Sequence, residues 1–155
     1  MFKKENREYF QSIGLGRANT YYRYDSFSQI VKKLVFEQDK GLLYMYLVID
    51  QDGTIVGRMN LTDIIQEPLN KDELGYRIGE RHQVKGYATS AVKLILEQAS
   101  QRYQFHRIEA GTASTNIGSQ IVLIKNGFQF VEKYNQYLLQ DNKWIDNLLF
   151  EKVID

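Results

Sequence analysis

The stretch Gln83-Val84-Lys85-Gly86-Tyr87-Ala88-Thr89 decides the fold, because it joins a predicted strand to the strongest predicted helix of the chain. Residues 86–101 place small and branched apolar side chains on one helical face, and residues 73–78 are typical of a strand. Gly86 and Ala88 leave room for a ligand against the backbone, and the free N–H groups of a helix start attract negative charge. Such a turn suits a pyrophosphate, although a short glycine-containing turn on its own more often serves packing alone.

The elements around this stretch alternate between helical and extended patterns. Gly14 and Gly16 end a first predicted helix, Asp25 or Ser26 is expected to cap a second, and Gly41 ends that second helix. Asp52-Gly53 is a hairpin signal. The predicted helices are 2–13, 26–41, 86–101 and 117–126, and the predicted strands are 42–50, 54–62, 73–78, 106–113, 128–139 and 143–153. This order predicts one α+β domain over residues 1–155, with a mixed, mostly antiparallel sheet and one β-helix-β crossover.

Composition excludes several classes of function. The 155 residues carry 20 Lys and Arg against 19 Asp and Glu, a net charge of +1 that argues against a general nucleic-acid binder. The chain has no Cys and two His, so we expect no disulfide, no thiolate nucleophile and no metal site. The absence of Cys fits a cytoplasmic protein. No apolar run reaches membrane-spanning length, and the first residues do not resemble a signal peptide.

The segment Gln83-x-x-Gly86-x-Ala88 resembles the acetyl-CoA pyrophosphate signature of the GCN5-related N-acetyltransferases, the GNAT superfamily. Further segments, in order and at fitting spacings, resemble the branch that contains the ribosomal-protein-alanine acetyltransferases. They are Leu74-Gly75-Tyr76, Gly86 to Thr89, His106 to Ala110, Asn116-x-x-Ser119, Asn126-Gly127-Phe128 and Asn142 to Asp146. The resemblance implies a GNAT fold, acetyl-CoA as cosubstrate and transferase activity.

The resemblance also implies a set of cofactor-binding residues. The backbone of the 84–88 loop, with Gln83 beside it, would hold the pyrophosphate, and the end of the third strand would pair with the pantetheine arm. Asn116 would bind the pantetheine, and Ser119 would lie near the sulfur. The expected cofactor-binding residues are Arg77, Ile78, Gly79, Gln83, Val84, Lys85, Gly86, Tyr87, Ala88, Thr89, Asn116 and Ser119.

Amine acetylation needs a donor to the developing oxyanion and a proton for the leaving thiolate. The backbone amide near Ile78 is expected to be the first, and Ser119 the second, with Tyr137 or Tyr134 as alternatives. Glu109 is a candidate general base, but a solvated strand carboxylate is the simpler reading of that residue. Without Cys, an acetyl-thiol enzyme intermediate is excluded, so direct transfer in a ternary complex is expected.

The acceptor follows from the resemblance only to the level of a primary amine, with a protein or peptide N-terminus favoured. A polyamine, an amino acid or an aminoglycoside is an alternative acceptor, and a catalytically silent acyl-CoA-binding module is an alternative function. Two departures from the family are visible. Residues 135–139 contain no carboxylate, where some members place one, and the chain begins almost at a helix, so the usual first strand is expected to be missing. An open sheet edge of that kind would favour a homodimer.

Overall fold

The computed structural model describes residues 1–154 and contains five α-helices and six strands among them. The helices are α1 (Phe2–Glu5), α2 (Arg7–Ser12), α3 (Tyr24–Asp39), α4 (Tyr87–Gln101) and α5 (Ile117–Lys125). The strands are β1 (Tyr44–Ile49), β2 (Ile55–Ile65), β3 (Lys71–Ile78), β4 (Arg107–Ala113), β5 (Gln129–Gln140) and β6 (Lys143–Val153). Short 3₁₀ turns cover Asn19–Tyr22 and Glu80–His82. The α+β prediction and the element order are confirmed.

The six strands form one sheet in the order β1-β2-β3-β4-β6-β5. Every neighbouring pair is antiparallel except β3 and β4, which run parallel and are connected through α4. A parallel pair needs such a crossover, and this is the predicted β-helix-β unit. Among residues 1–154, only helical and irregular segments precede β1, as expected. None of the helices formed by these residues combines the length and the apolar character required to cross a bilayer.

The main core lies between the sheet and α4. Ala91, Val92, Ile95 and Ala99 are buried along one face of α4, as their helical spacing predicts. They pack on apolar side chains that alternate with polar ones along the central strands, and Leu123 of α5 completes the layer. The crossover helix is therefore fixed firmly, and with it the position of the turn at its N-terminus.

The N-terminal segment differs from the single helix predicted over residues 2–13, because Asn6 separates α1 from α2. The Asn6 side chain donates to the Phe2 carbonyl at 2.9 Å and accepts from the Glu80 backbone N–H at 2.7 Å. An Asn whose side chain bonds to backbone competes with the helix, which explains the break. Phe10 of α2 is 1% exposed, so this short helix is anchored on the second face of the sheet.

The second predicted helix is present as α3, but its start was predicted wrongly. It begins at Tyr24 with Arg23 as the N-cap residue, and no side chain caps it, so Asp25 lies inside the first turn. No residue of α3 is buried, although its apolar residues have helical spacing. Gly41, at φ +70°, ends this segment as predicted.

Candidate active site

A cleft opens where β3 and β4 separate. The two parallel strands pair only between residues 71–73 and 107–109, and beyond Glu73 they diverge. The space between them is part of a cleft of about 710 Å³ that is also lined by α2, α5 and the start of α4. Divergence leaves one edge of β3 without a strand partner, so its backbone polar groups are available to a ligand.

The free backbone groups on this edge belong to Tyr76 and Ile78. The Gly79 N–H donates to the Val56 carbonyl of the neighbouring strand at 2.8 Å. Backbone groups point alternately to the two sides of a strand, so those of Ile78 and Tyr76 point away from β2 and into the cleft. The backbone groups of Arg77 and Gly79, which were expected to contact the pantetheine, point toward β2 instead.

The turn before α4 has the geometry of an anion-binding helix start. Gly86 is the N-cap residue in a left-handed conformation, with φ +81°, and a Cβ there would meet nothing within 4 Å. The first intrahelical bond of α4 runs from the Ser90 N–H to the Gly86 carbonyl. The N–H groups of the preceding residues therefore have no acceptor in the helix and open on the cleft at Gly86, Tyr87 and Ala88.

Gln83 has a structural contact that the sequence does not reveal. Its side-chain Nε2 donates to the Ile78 carbonyl at 2.7 Å, which closes the loop between β3 and α4. The Gln83 amide is therefore engaged with the protein rather than free for a phosphate, although the residue lines the cleft. This contact also removes the Ile78 carbonyl from the cleft edge and leaves the Ile78 N–H as the free group.

Tyr76 and Ser119 form a hydroxyl pair inside the cleft, with their oxygens 2.9 Å apart. Ser119 is held in the first turn of α5 because its N–H donates to the Asn116 side-chain oxygen at 3.1 Å. Burial raises the pKa of Tyr76 to about 12, so its phenol stays protonated at neutral pH. Asn116 caps α5 through its oxygen, and its side-chain nitrogen accordingly remains the group that could donate to a ligand.

The N-terminal segment and the closing hairpin meet at the other end of the cleft. Gln140, the last residue of β5, donates through Nε2 to the Ser12 carbonyl at 3.0 Å. Tyr9, Ser12 and Gln140 all line the cleft. The cleft therefore extends from the turn before α4 to this contact between the N-terminal segment and the closing hairpin.

Apart from three tyrosines, the ionisable side chains that line the cleft are basic. Arg77, His82 and Lys125 line it, and none of the residues that line it in the described part of the chain is Asp or Glu. Lys125 lies at the C-terminal end of α5 and Tyr76 on β3, and sequence reasoning assigned neither a role. The motif Leu74-Gly75-Tyr76 was the only signal that could have pointed to the tyrosine.

Several sequence-predicted residues lie outside this cleft. Glu109 faces Lys71, with the ammonium 2.8 Å from a carboxylate oxygen, and Glu109 does not line the cleft. Tyr134 and Tyr137 stack loosely against one another on β5, with ring centroids 5.2 Å apart, and also lie outside. Lys85 and Gly79 flank the cleft without lining it, whereas Ile78, Val84, Thr89, Asn116 and Ser119 do line it.

Comparison with known proteins agrees with this architecture. Residues 5–129 match the family model of the acetyltransferase (GNAT) domain. The probable N-acetyltransferase YjcK of Bacillus subtilis is 32% identical over 127 residues, which are 81% of this chain and 70% of that protein. The ribosomal protein uS5-alanine N-acetyltransferase of Escherichia coli is 27% identical over 114 residues, which are 74% of this chain and only 59% of that enzyme.

Among solved structures, RimJ of Mycobacterium smegmatis in complex with CoA-disulfide is similar at a TM-score of 0.80 and 28% identity. The match covers 86% of this chain and 63% of the RimJ chain. The mixed sheet and its flanking helices match the GNAT fold, and the family model and the relatives identify the protein as an acyltransferase. The chain belongs to the GNAT acetyltransferase family.

Proposed function

We propose that this protein binds acetyl-CoA in the cleft and transfers its acetyl group directly to a primary amine at the N-terminus of a protein or peptide. One observation carries the proposal: the unpaired edge of β3 leads directly to the free N-terminus of α4. An extended arm can pair with the first, and a pyrophosphate can bind at the second. Bound there, acetyl-CoA would supply an activated acetyl group and a thiol as leaving group.

The residues present fit this ligand. The backbone of Tyr76 would pair with the pantetheine arm, and the N–H groups at Gly86, Tyr87 and Ala88 would hold the pyrophosphate. Lys125 adds a positive charge to the same cleft. In this proposal Gln83 shapes the loop through its contact with Ile78, and does not bind phosphate itself.

Two groups of the chain would act on the reacting atoms. The Ile78 N–H is a fixed donor suited to a developing oxyanion, because its direction is set by the strand. The Ser119 hydroxyl would give a proton to the leaving sulfur, while the Tyr76 hydroxyl positions it. With no Cys in the chain, the acetyl group would pass directly to the amine.

No carboxylate among the described residues lines the cleft to take a proton from the acceptor, so an amine with a larger neutral fraction at working pH would react faster. A protein N-terminal amine has a pKa of about 8, whereas a lysine-type alkyl amine has a pKa of about 10.4. At neutral pH the neutral fraction of the first is therefore greater by a factor on the order of 100. This difference favours an N-terminal amine as the acceptor, as does the similarity to the uS5-alanine acetyltransferase.

The proposal is tested by thiol release and product mass over a panel of amines. The panel contains peptides that begin with alanine or serine, the same peptides with a blocked N-terminus and a free lysine, and a polyamine. We expect acetylation of the free N-terminal amines, with both substrates bound before release of either product. Saturable acetyl-CoA binding without turnover of any amine would contradict the proposal and favour an acyl-CoA-binding module.

A further inference from the structure

A group of cations lies on the face of the sheet that α1 and α2 cover. Arg58 of β2 and Arg77 of β3 are directly opposite one another in the antiparallel register. Such partners have Cβ atoms about 5 Å apart on the same face. The Lys3 ammonium lies 5.4 Å from the centroid of the Phe10 ring, and the Arg77 guanidinium carbon lies 5.5 Å from the same centroid. Lys3, Arg58 and Arg77 are called the cationic cluster below.

No carboxylate balances this cluster among residues 1–154. The ion pairs of the described residues involve other side chains. Lys3 Nζ and Arg58 Nε are buried without a hydrogen-bond partner there, and Arg77 donates to the Leu15 carbonyl at 2.7 Å. Burying the two guanidinium charges of Arg58 and Arg77 without a counter-ion costs several kcal/mol, so this arrangement calls for an anion from outside the chain.

One member of the cluster, Arg77, reaches the cleft, whereas Lys3 and Arg58 do not line it. Arg77 is 7% exposed and lines the cleft together with Leu15. The next residue is Ile78, whose backbone N–H is the proposed donor to the thioester oxygen. A group held by the Arg77 side chain would therefore lie close to the acetyl group, within the length of a few extended peptide residues.

We propose that the cationic cluster binds an anionic group of the acceptor, a carboxylate or a phosphate, so that the preferred acceptor is an amine with a negative charge a few bonds away. This inference rests on the proposed function and narrows its substrate class. Polyamines carry positive charge only, and the cluster would repel them. Arg58 and Arg77 provide guanidinium groups, which suit planar and bidentate recognition of such oxyanions.

Lys3 would couple this binding to proton uptake. Burial, with Arg58, Arg77 and Arg17 nearby, lowers the pKa of Lys3 to about 6, so the free protein holds it mostly neutral at pH 7.5. An anion in the cluster would favour the charged form and raise that pKa. The other ionisable groups close to the two arginines are the phenols of Tyr21 and Tyr22.

The test compares alanine-initiated peptides that differ only at the second and third residues, with aspartate, asparagine, phosphoserine or lysine there. In the natural protein we expect kcat/KM for the aspartate or phosphoserine peptides to exceed that for the asparagine peptide at least about tenfold, as for a charge-assisted hydrogen bond. Whichever of the two acidic peptides is preferred identifies the anion as carboxylate or phosphate. In Arg58→Gln this ratio should fall toward one, while the matched variant Arg102→Gln, at an exposed arginine after α4, should keep it.

A second readout does not depend on turnover. With CoA present, calorimetric titration of the aspartate peptide in buffers of different ionisation enthalpy should show proton uptake at pH 7.5, and Lys3→Met should remove it. Turnover that is equal for aspartate and asparagine peptides would overturn the anion site and leave the proposed function intact. Binding of the acidic peptide that depends on Arg58, without acetylation of any amine, would support the anion site and contradict the proposed function.

Discussion

The hydroxyl oxygens of Tyr76 and Ser119 lie 2.9 Å apart and join the unpaired edge of β3 to the first turn of α5. The pair links two of the elements that line the cleft. Since burial raises the pKa of Tyr76 to about 12, the phenol remains a donor throughout the pH range in which the amine would react. The serine hydroxyl is thereby held in a defined position beside the expected place of the sulfur.

Replacing Ser119 with alanine should lower kcat by about a hundredfold, the lower end of the range for a lost general acid. The KM for acetyl-CoA should change little, because the backbone contacts that bind it remain. Tyr76→Phe should lower kcat less and in the same direction, and the double variant should be no worse than Ser119→Ala alone. Steady-state kinetics of the three variants checks this.

Ser114→Ala is the matched control, since Ser114 does not line the cleft. Ser114→Ala should leave kcat and the KM for acetyl-CoA within about twofold of the natural protein, the usual range for a surface change. Equal kcat in Ser119→Ala and the natural protein would remove the serine from the mechanism. A double variant much slower than either single one would show that the two hydroxyls act separately.

The buried carboxylate of Asp72 predicts an unusual pH dependence of stability. Asp72 is 1% exposed and its oxygens have no hydrogen-bond partner among the described residues. Burial first, and then the charge of Glu109, raises its pKa from 3.8 to about 7. The folded protein therefore binds this proton more tightly than the unfolded chain, and the free energy of unfolding falls as pH rises from about 4 to about 7.

Asp72→Asn removes this loss. Two pKa units between pH 5 and the folded pKa correspond to about 3 kcal/mol. The free energy of unfolding of Asp72→Asn, relative to that of the natural protein, should therefore increase by about that much between pH 5 and pH 8. Urea unfolding of both proteins at the two pH values measures it. A stability difference that is the same at both pH values would show that Asp72 is not protonated in the folded state.

Gly57 and Gly75 provide a matched pair of positions for testing how closely β2 and β3 approach one another. A Cβ at Gly57 would lie 2.5 Å from the Arg77 carbonyl oxygen, whereas one at Gly75 would meet nothing within 4 Å. Gly57→Ala should therefore destabilise the protein by about 1–3 kcal/mol, as overpacking does. Gly75→Ala should be close to neutral or slightly stabilising, because it restricts the unfolded chain. Equal unfolding free energies for the two variants would contradict the close approach of β2 and β3.

Local signals explain which parts of the fold were predictable. The helical face of α4 and the turn at Asp52-Gly53 are encoded within a few residues of sequence, and the structure confirms both. The break at Asn6 is different, because it depends on Glu80, far along the chain. Likewise, the exposure of α3 depends on how the rest of the chain packs on the sheet, and the spacing of apolar residues in the helix does not encode that.

The candidate site likewise combines features that local sequence predicts with features that depend on the fold. The turn at Gly86 that starts α4 was predictable from its neighbours in sequence. The partnership of Tyr76 with Ser119, the use of Gln83 on the Ile78 carbonyl and the register that puts two arginines opposite one another all require the fold. Glu109 was considered as a base from its strand position, but its partner Lys71 could not be seen without the parallel pairing.

The proposal that acetyl-CoA binds at the start of α4 is tested most directly by calorimetric titration of acetyl-CoA into Gly86→Glu and Gly53→Glu. Both glycines have a left-handed backbone, at φ +81° and +82°, and open space where a Cβ would lie. The two variants thus carry the same backbone strain and the same added charge, but only the first places them at the start of α4. We expect Gly86→Glu to lose acetyl-CoA binding and Gly53→Glu to bind acetyl-CoA as the natural protein does. Equal affinity in the two variants would contradict binding at the start of α4.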